Sequence, residues 1–351
     1  MKSLFAILLI PFSFLYGIGV SIYQSFYFSG FFKSTKFSIP IIGIGNLSVG
    51  GTGKSPHIEY LVRTLKPYIP VAIISRGYGR KTQGYLLVTS NLTSLQTGDE
   101  SLQIKSKFND IPVAVSENRS VGIPKLLSQH PEIKVILMDD AFQHLEVQPS
   151  LNILLTEFNN PYFKDFLIPS GRLREWRFGV HRANVIIVTK CSSEPSPEEQ
   201  NLWVKNLKLN TEQQLFFSYM EYGTPYHLFH NSQIFKLNPS LHVILVSAIA
   251  QASYITEYLE DKVSRVDELQ YEDHHYFKEQ EINELIYKFN AISHSNKMIL
   301  TTEKDATRLI LFKDIIQKAN IEIYVLPVDI RFYKQPEFDR LIKDHLLEFK
   351  I

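Results

Sequence analysis

The sequence is poor in cysteine and in net charge. Its 351 residues include one cysteine, Cys191, and 37 Lys and Arg against 36 Asp and Glu, which leaves a formal net charge of +1. A lone cysteine forms no intramolecular disulfide, which excludes a disulfide-stabilised scaffold and agrees with a reducing, cytosolic compartment. The balanced charge supplies no global field that would hold nucleic acid, so we expect no nucleic-acid partner.

Internal repeats and low-complexity tracts are absent from the sequence as well. Hydrophobic residues make up 44% of the chain, charged residues 21% and aromatic residues 13%. This balance is typical of an ordinary globular enzyme and not of a disordered or fibrous chain. The length predicts about two domains, each able to bury its own core. Nothing in the sequence indicates an obligate protein partner.

The N-terminal segment, residues 1–37, is nearly uncharged. No Asp, Glu, Lys, Arg or His occurs from Leu4 to Phe32, so this segment requires an apolar partner. We predict a membrane-associating helix that either spans the bilayer or lies in its interface, because Pro11 and two glycines interrupt the apolar run. The alternative is an amphipathic helix buried in a soluble protein. A cleaved signal peptide is disfavoured because no small-x-small site follows the apolar stretch.

After residue 37, short apolar runs alternate with helical patterns, which is typical of an α/β fold with a wound parallel sheet. The predicted strands of this unit are Ile39–Ile44, Val71–Ile74, Pro112–Val115, Val135–Met138, Leu151–Leu155 and Val185–Val188. A smaller α/β unit follows, with predicted strands Val243–Val246, Met298–Leu300 and Ile321–Leu326. The predicted domains are thus a nucleotide-binding domain at 38–219, a hairpin-like connector at 220–240 and a C-terminal domain at 241–351.

The segment from Gly45 to Ser55 lies between a predicted strand and a predicted helix and has the pattern of a phosphate-binding loop. Glycines let successive backbone N–H groups surround phosphate oxygens, Lys54 would reach the β- and γ-phosphates of ATP, and the Ser55 hydroxyl would ligate Mg²⁺. A plain glycine-rich turn is the alternative. The pattern therefore predicts a P-loop NTPase-like sheet, with ATP held by Ser48, Val49, Gly50, Gly51, Thr52, Gly53, Lys54 and Ser55.

Two carboxylates support the same interpretation. The apolar strand Val135–Met138 is followed directly by Asp139 and Asp140. P-loop proteins hold the Mg²⁺ of a nucleotide with an acidic residue at the end of such a strand. We therefore predict that Asp139 or Asp140 ligates Mg²⁺; alone, the pair would be read as solvated acids capping a turn.

A basic turn, Arg76, Arg80 and Lys81, follows the second predicted strand and should lie at the phosphate-binding edge of the sheet. Guanidinium groups suit phosphate oxygens, so these residues are candidates for binding substrate; a solvated basic turn explains them nearly as well. Thr302 and Asp305 fit a capping box at the start of a helix better than a phosphate contact.

Seven ordered blocks make the chain resemble the tetraacyldisaccharide 4'-kinases of lipid A biosynthesis, over nearly its whole length. The blocks are Gly45–Pro56, Ser75–Arg80, Gly98–Glu100, Asp139–His144, Pro169–Glu175, Asp273–His275 and Thr302–Ala306. The chain departs from the usual family pattern at Ser101, Ala141 and Arg172, which concerns only local loop geometry.

The resemblance implies two α/β domains and a lipid kinase at the cytoplasmic face of the bacterial inner membrane. It implies transfer of the ATP γ-phosphate to the 4'-hydroxyl of a lipid disaccharide substrate, tetraacyldisaccharide 1-phosphate. It also pairs Asp99, which by its position alone would be a helix cap, with His274 to accept the hydroxyl proton, and puts Glu175 beside the nucleotide. The alternatives are a P-loop kinase or NTPase for another membrane-bound substrate, and a non-catalytic membrane-tethered nucleotide switch.

Overall fold

The computed structural model describes residues 4–349, and the side chains from residue 6 onward. Within this range the strands form a nine-stranded sheet and a six-stranded sheet. The strands are β1 (Ile41–Asn46), β2 (Val71–Ser75), β3 (Leu86–Leu87), β4 (Val113–Val115), β5 (Val135–Asp139), β6 (Leu151–Glu157), β7 (Val185–Thr189), β8 (Gln214–Tyr222), β9 (Tyr226–His227), β10 (His230–Ile234), β11 (His242–Ser247), β12 (Arg265–Gln270), β13 (Lys297–Thr302), β14 (Ile323–Leu326) and β15 (Val328–Phe332).

Helices cover both sheets and follow most of the parallel strands. They are α1 (Leu4–Leu8), α2 (Ile10–Phe28), α3 (Lys54–Leu65), α4 (Ser94–Thr97), α5 (Asp99–Lys107), α6 (Arg119–Gln129), α7 (Pro197–Leu207), α8 (Ser253–Glu260), α9 (Glu279–Ala291), α10 (Glu303–Leu309), α11 (Lys313–Lys318) and α12 (Gln335–Leu347). The predicted α/β class, with a wound parallel sheet and a second smaller sheet, is confirmed.

The first sheet has the strand order β15-β8-β7-β6-β1-β5-β2-β4-β3. Strand β1 lies between β5 and β6, parallel to both, and all six of its residues are buried. Because β5 and β6 continue on opposite sides of β1, the chain reverses direction across the sheet at this point, where wound sheets bind ligands beyond the strand carboxyl ends. The phosphate-loop segment follows β1, and Asp139 is the last residue of β5, so both lie at this edge of the sheet.

The second sheet has the order β10-β9-β14-β13-β11-β12 and buries a separate apolar cluster that includes Ile244, Ile282 and Ile299. The segment predicted as a hairpin-like connector does contain an antiparallel pair, β9 and β10, and β9 also pairs with β14. Strand β12 was not predicted from the sequence, because it is an edge strand whose residues are exposed or half-buried and mostly polar.

The end of the chain returns to the first sheet. Strand β15 pairs antiparallel with β8, and Phe338 and Ile342 of α12 are buried in the first apolar core. The sequence analysis assigned these residues to the C-terminal unit at 241–351, because the separation of 106 residues between β8 and β15 hides their pairing. The remaining unit boundaries stay a prediction.

Helix α2 turns small and polar residues towards the protein and apolar residues outward. Its buried residues are Ser13, Gly17 and Gln24, while large apolar side chains such as Phe12 and Leu15 are about 60% exposed. A helix of a soluble protein normally buries the apolar stripe and exposes the polar one. The alternative of an apolar stripe buried in the protein is therefore wrong. Among residues 4–349, no helix is both long enough and apolar enough to cross a membrane.

Candidate active site

The predicted phosphate loop lines a cleft of about 480 Å³ between the two sheets. It connects β1 to α3, and Gly50 and Gly53 have φ angles of 109° and 90°, a region that residues with a side chain rarely adopt. The residues from Ser48 to Ser55 all line the cleft, and Lys54 is the first residue of α3. The backbone N–H groups of a glycine-rich loop at a helix N-terminus form a site for phosphate.

Lys54 belongs to a charged cluster at the bottom of the loop. Its Nζ lies 3.5 Å from Asp140 Oδ1 and 3.4 Å from Asn46 Oδ1. The Arg174 guanidinium donates to both oxygens of Asp140 at 2.9 Å, and also to Asn46 Oδ1 at 2.5 Å. Burial alone would raise the pKa of Asp140, but Lys54 and Arg174 outweigh it and hold that pKa well below its usual range. Asp140 is therefore ionised at neutral pH.

Asp139 differs from Asp140 in that its pKa is raised. Asp139 is 1% exposed, and its carboxylate accepts hydrogen bonds from the Asp140 N–H at 2.9 Å and from the Ser75 hydroxyl at 3.4 Å. Burial, assisted by repulsion from Glu100, raises its pKa to about 7, and Lys54 opposes this only in part. A cation bound next to Asp139 would favour the ionised carboxylate.

The donor set at this edge fits Mg²⁺. Asp139, Asp140 and Ser55 all line the cleft, and hard carboxylate and hydroxyl oxygens are ligands that Mg²⁺ accepts. In residues 4–349 no group of three or more His, Cys, Asp or Glu side chains could hold a metal ion by itself. Mg²⁺ in nucleotide sites usually takes one or two carboxylates and completes its shell with phosphate oxygens and water, so two carboxylates suffice.

A second polar group adjoins the same cleft through His274. Asp99, the first residue of α5, and His274, which follows β12 with φ 62°, are 175 residues apart in sequence. His274 Nδ1 lies 3.0 Å from Asp99 Oδ2, and Lys304 Nζ lies 3.1 Å from His274 Nε2. Because an ammonium group only donates and a carboxylate only accepts, these two contacts suit an imidazole with its proton on Nδ1 and its lone pair on Nε2.

Positive charge surrounds the Asp99 carboxylate, which is 4% exposed. Burial would raise its pKa, but the His274 hydrogen bond and the charges of Lys304 and Arg308 lower it to about 2. Arg308 Nη1 lies 3.5 Å from Asp99 Oδ2. Asp99 therefore remains an acceptor at neutral pH, and His274, which lines the cleft and is 23% exposed, connects it to the open space.

The basic turn divides into separate positions. Arg76 lines the cleft, together with Tyr78 from the same turn. Arg80 is turned away, since its side chain is 2% exposed and donates to Glu117 at 2.5 Å, and Lys81 is exposed on the same loop. Contact of these three residues with substrate stays a prediction.

Glu175 is buried behind the phosphate loop with 1% of its surface exposed. Its oxygens accept hydrogen bonds from Gln143 Nε2 and Gln24 Nε2, each at 2.7 Å, and from Arg182 Nη2 at 2.9 Å. Its contact with nucleotide stays a prediction.

Sequence reasoning missed Lys304 and Arg308 at the site. The Thr302 hydroxyl does accept the Asp305 N–H at 3.1 Å, so the predicted helix cap is confirmed. That cap starts α10, whose next turns carry Lys304 and Arg308 towards Asp99. The available signal was the Thr302–Ala306 block, which contributed to the family resemblance but whose residues were otherwise interpreted only as a helix cap.

The chain matches known proteins over nearly its whole length. A family model described as Tetraacyldisaccharide-1-P 4'-kinase matches residues 5–347. The chain is 40% identical to the tetraacyldisaccharide 4'-kinase of Bacteroides thetaiotaomicron, covering 97% of this chain and 93% of the relative. It is also 40% identical to that of Flavobacterium johnsoniae, covering 97% of both chains. Its fold is similar to a crystal structure of LpxK from Aquifex aeolicus in complex with ATP, with a TM-score of 0.72 at 24% identity over 98% of this chain and 100% of that chain.

Proposed function

Because this chain belongs to the tetraacyldisaccharide-1-phosphate 4'-kinase family, we propose that it transfers the γ-phosphoryl group of ATP to the 4'-hydroxyl of tetraacyldisaccharide 1-phosphate, a step of lipid A biosynthesis. The observation that supports this most strongly is one cleft lined by both Lys54 of the phosphate loop and His274, the partner of Asp99. Transfer to a hydroxyl requires a phosphate-binding element and a proton acceptor at one site.

ATP binds with its phosphates on the loop amides and Lys54. Ser55, Asp139 and Asp140 would hold Mg²⁺, which would supply positive charge to neutralise the transferring phosphates. Asp140 is ionised already, and a cation held beside Asp139 would favour the ionised form of that carboxyl, whose pKa is raised by burial. Arg174 donates to both oxygens of Asp140 and so limits the freedom of that side chain before the nucleotide arrives.

The 4'-hydroxyl oxygen attacks the γ-phosphorus, the bond from that phosphorus to the bridging oxygen breaks, and ADP leaves with the electron pair. The hydroxyl proton passes to the Asp99–His274 pair, in which Asp99 carries the negative charge and His274 orients it. Lys304 keeps His274 in the Nδ1–H form, so the hydrogen bond to Asp99 has one direction only. The lipid phosphate lies at Arg76, which lines the cleft, and near Lys81, which is exposed on the same turn, while the buried Arg80 supports the turn through Glu117.

The chain acts at the cytoplasmic face of the inner membrane, with α2 lying on the lipid surface. The exposed apolar face of α2 includes Phe12, Phe14 and Leu15. An exposed apolar stripe of this kind normally marks contact with lipid or another protein, and the acyl chains of the substrate reside in the lipid.

The decisive experiment identifies the product. Purified protein is incubated with γ-labelled ATP, Mg²⁺ and either tetraacyldisaccharide 1-phosphate or another lipid acceptor, and the lipids are analysed by mass spectrometry. We expect a mass gain of one phosphate on the disaccharide and label at the 4'-position. Label on another lipid alone would support a kinase of different specificity, and ATP binding without any transfer would support the nucleotide switch.

A further inference from the structure

The helix that carries the exposed apolar face contacts the active site through its other face. Gln24 is one of the few buried polar residues of α2, with 5% of its surface exposed. Its Nε2 donates to Glu175 Oε2 at 2.7 Å, across 151 residues of sequence. Burying an amide is costly unless it is hydrogen-bonded, and an amide donor to a buried carboxylate forms one of the stronger hydrogen bonds in a protein.

Glu175 continues this contact towards the phosphate loop. Its other oxygen accepts Gln143 Nε2 at 2.7 Å, and the same Nε2 lies 2.9 Å from the backbone oxygen of Asn46. The Asn46 side-chain oxygen in turn accepts from Lys54 at 3.4 Å. A chain of hydrogen bonds therefore runs from Gln24 through Glu175, Gln143 and Asn46 to Lys54.

Two neighbouring contacts attach the same segment to α2. The Tyr16 hydroxyl donates to the Arg174 backbone oxygen at 2.7 Å, and the Trp176 Nε1 donates to the Gly17 oxygen at 2.9 Å. Residues 174–176 are thus held by the helix at each successive position. A displacement of α2 would move Arg174, which orients Asp140.

We propose that Gln24 is a positioning residue that couples attachment of α2 to lipid with the affinity of the phosphate loop for MgATP. The inference rests on the proposed function for the identity of the nucleotide. When the apolar face lies on lipid, α2 is fixed against residues 174–176, and Gln24 holds Glu175 and Gln143 in the arrangement that supports Asn46 and Lys54. When α2 is free to leave that position, the chain of hydrogen bonds is lost and the loop binds MgATP more weakly.

The test measures MgATP binding with no lipid acceptor present, with and without vesicles of phosphatidylethanolamine and phosphatidylglycerol. Wild-type protein should bind MgATP about fivefold more tightly on vesicles, the lower end of measured couplings between sites. Gln24→Met fills the same space without a donor, and should lose most of this gain while still sedimenting with vesicles. The matched control is Ser25→Ala, an exposed neighbour on α2 that should behave as wild type.

A second variant breaks the chain of hydrogen bonds without touching the helix. Gln143→Met should lose the same vesicle response, and the double variant Gln24→Met/Gln143→Met should be scarcely worse than either single variant. An unchanged response in Gln143→Met, or equal MgATP affinity of the wild type with and without vesicles, overturns the inference. If Gln24→Met fails to fold, the Gln143→Met result decides. Lipid phosphorylation by the wild type is measured separately, so failure of the kinase assignment is distinguishable from failure of this coupling.

Discussion

Replacing Asp99 by Asn tests the proton-accepting pair most directly. The amide has nearly the shape of the carboxylate but no negative charge, in a place where His274 Nδ1 lies at 3.0 Å and Arg308 Nη1 at 3.5 Å. Asp99 has a pKa of about 2, so the wild-type side chain is fully ionised at pH 7 and the substitution removes a whole charge.

The magnitude follows from the role. Loss of a positioned general base usually lowers the rate by about a hundredfold to ten-thousandfold, and we expect kcat of Asp99→Asn to fall within that range. His274→Gln should lower kcat by at least about tenfold, because Asp99 loses the donor that orients it. If the two residues act as one unit, the double variant should lie within about threefold of the poorer single variant.

The assay is initial-rate transfer of labelled phosphate at saturating MgATP and lipid disaccharide, combined with MgATP binding. Binding should stay within about twofold of wild type in all three variants, because Asp99 contacts residues of α10 and the loop after β12, and the phosphate loop binds the nucleotide. His275→Gln is the control, since that neighbouring histidine bonds Glu281 at 2.9 Å. Multiplied losses in the double variant, or wild-type kcat in Asp99→Asn, would refute the reasoning.

Three further predictions concern the loop, the membrane face and pH. Lys54→Ala should lower kcat at least about a hundredfold while Lys66→Ala, at the far end of α3, leaves it unchanged; equal rates would contradict the phosphate-loop assignment. Phe12→Ser with Leu15→Ser should reduce sedimentation with vesicles at least about tenfold without changing the melting temperature, because each exposed side chain contributes about 1.5–3 kcal/mol on burial in lipid. Burial lowers the pKa of His57 from 6.5 to about 4. Because the folded protein disfavours the charged imidazole, this group leaves the free energy of unfolding unchanged above pH 6.5 and lowers it by about 3 kcal/mol as the pH falls towards 4. His57→Gln should therefore show a flatter fall in unfolding free energy across that range by urea titration, and an identical slope would exclude His57 as the cause.

Local sequence patterns predicted much of the fold. The runs that end in Asn46, Ser75 and Asp139 form buried parallel strands, and they are visible in the sequence because strands buried on both faces consist mostly of apolar residues. The glycines at 50 and 53 mark the loop for a similarly local reason, since both have positive φ angles that side chains oppose. The cap at Thr302 likewise depends on a residue only three positions away.

The N-terminal helix shows what a local sequence pattern does not determine. Its lack of charge is evident in the sequence, but the choice between a buried and an exposed apolar face depends on which side meets residues 167–176. The structure places Ser13, Gly17 and Gln24 against that segment, where Ser13 bonds Leu167 and Gln24 bonds Glu175. Periodicity defines a face of a helix and does not specify the surface that the face contacts.

The sequence by itself determined the elements whose causes lie within a few residues: the buried strands, the phosphate loop, the helix caps and the uncharged N-terminal helix. Which of these elements meet is not visible in local patterns: the family resemblance implied the pairing of Asp99 with His274, and only the tertiary structure shows why they meet. Asp99 and His274 are adjacent because α5 of the first unit faces the loop after β12 of the second, and β15 joins β8 across the length of an entire unit. Such contacts depend on how whole sheets pack. The entropy lost on closing a loop of about 100 residues is little larger than that for a loop of about 50, so a distant pairing leaves no mark on the local sequence.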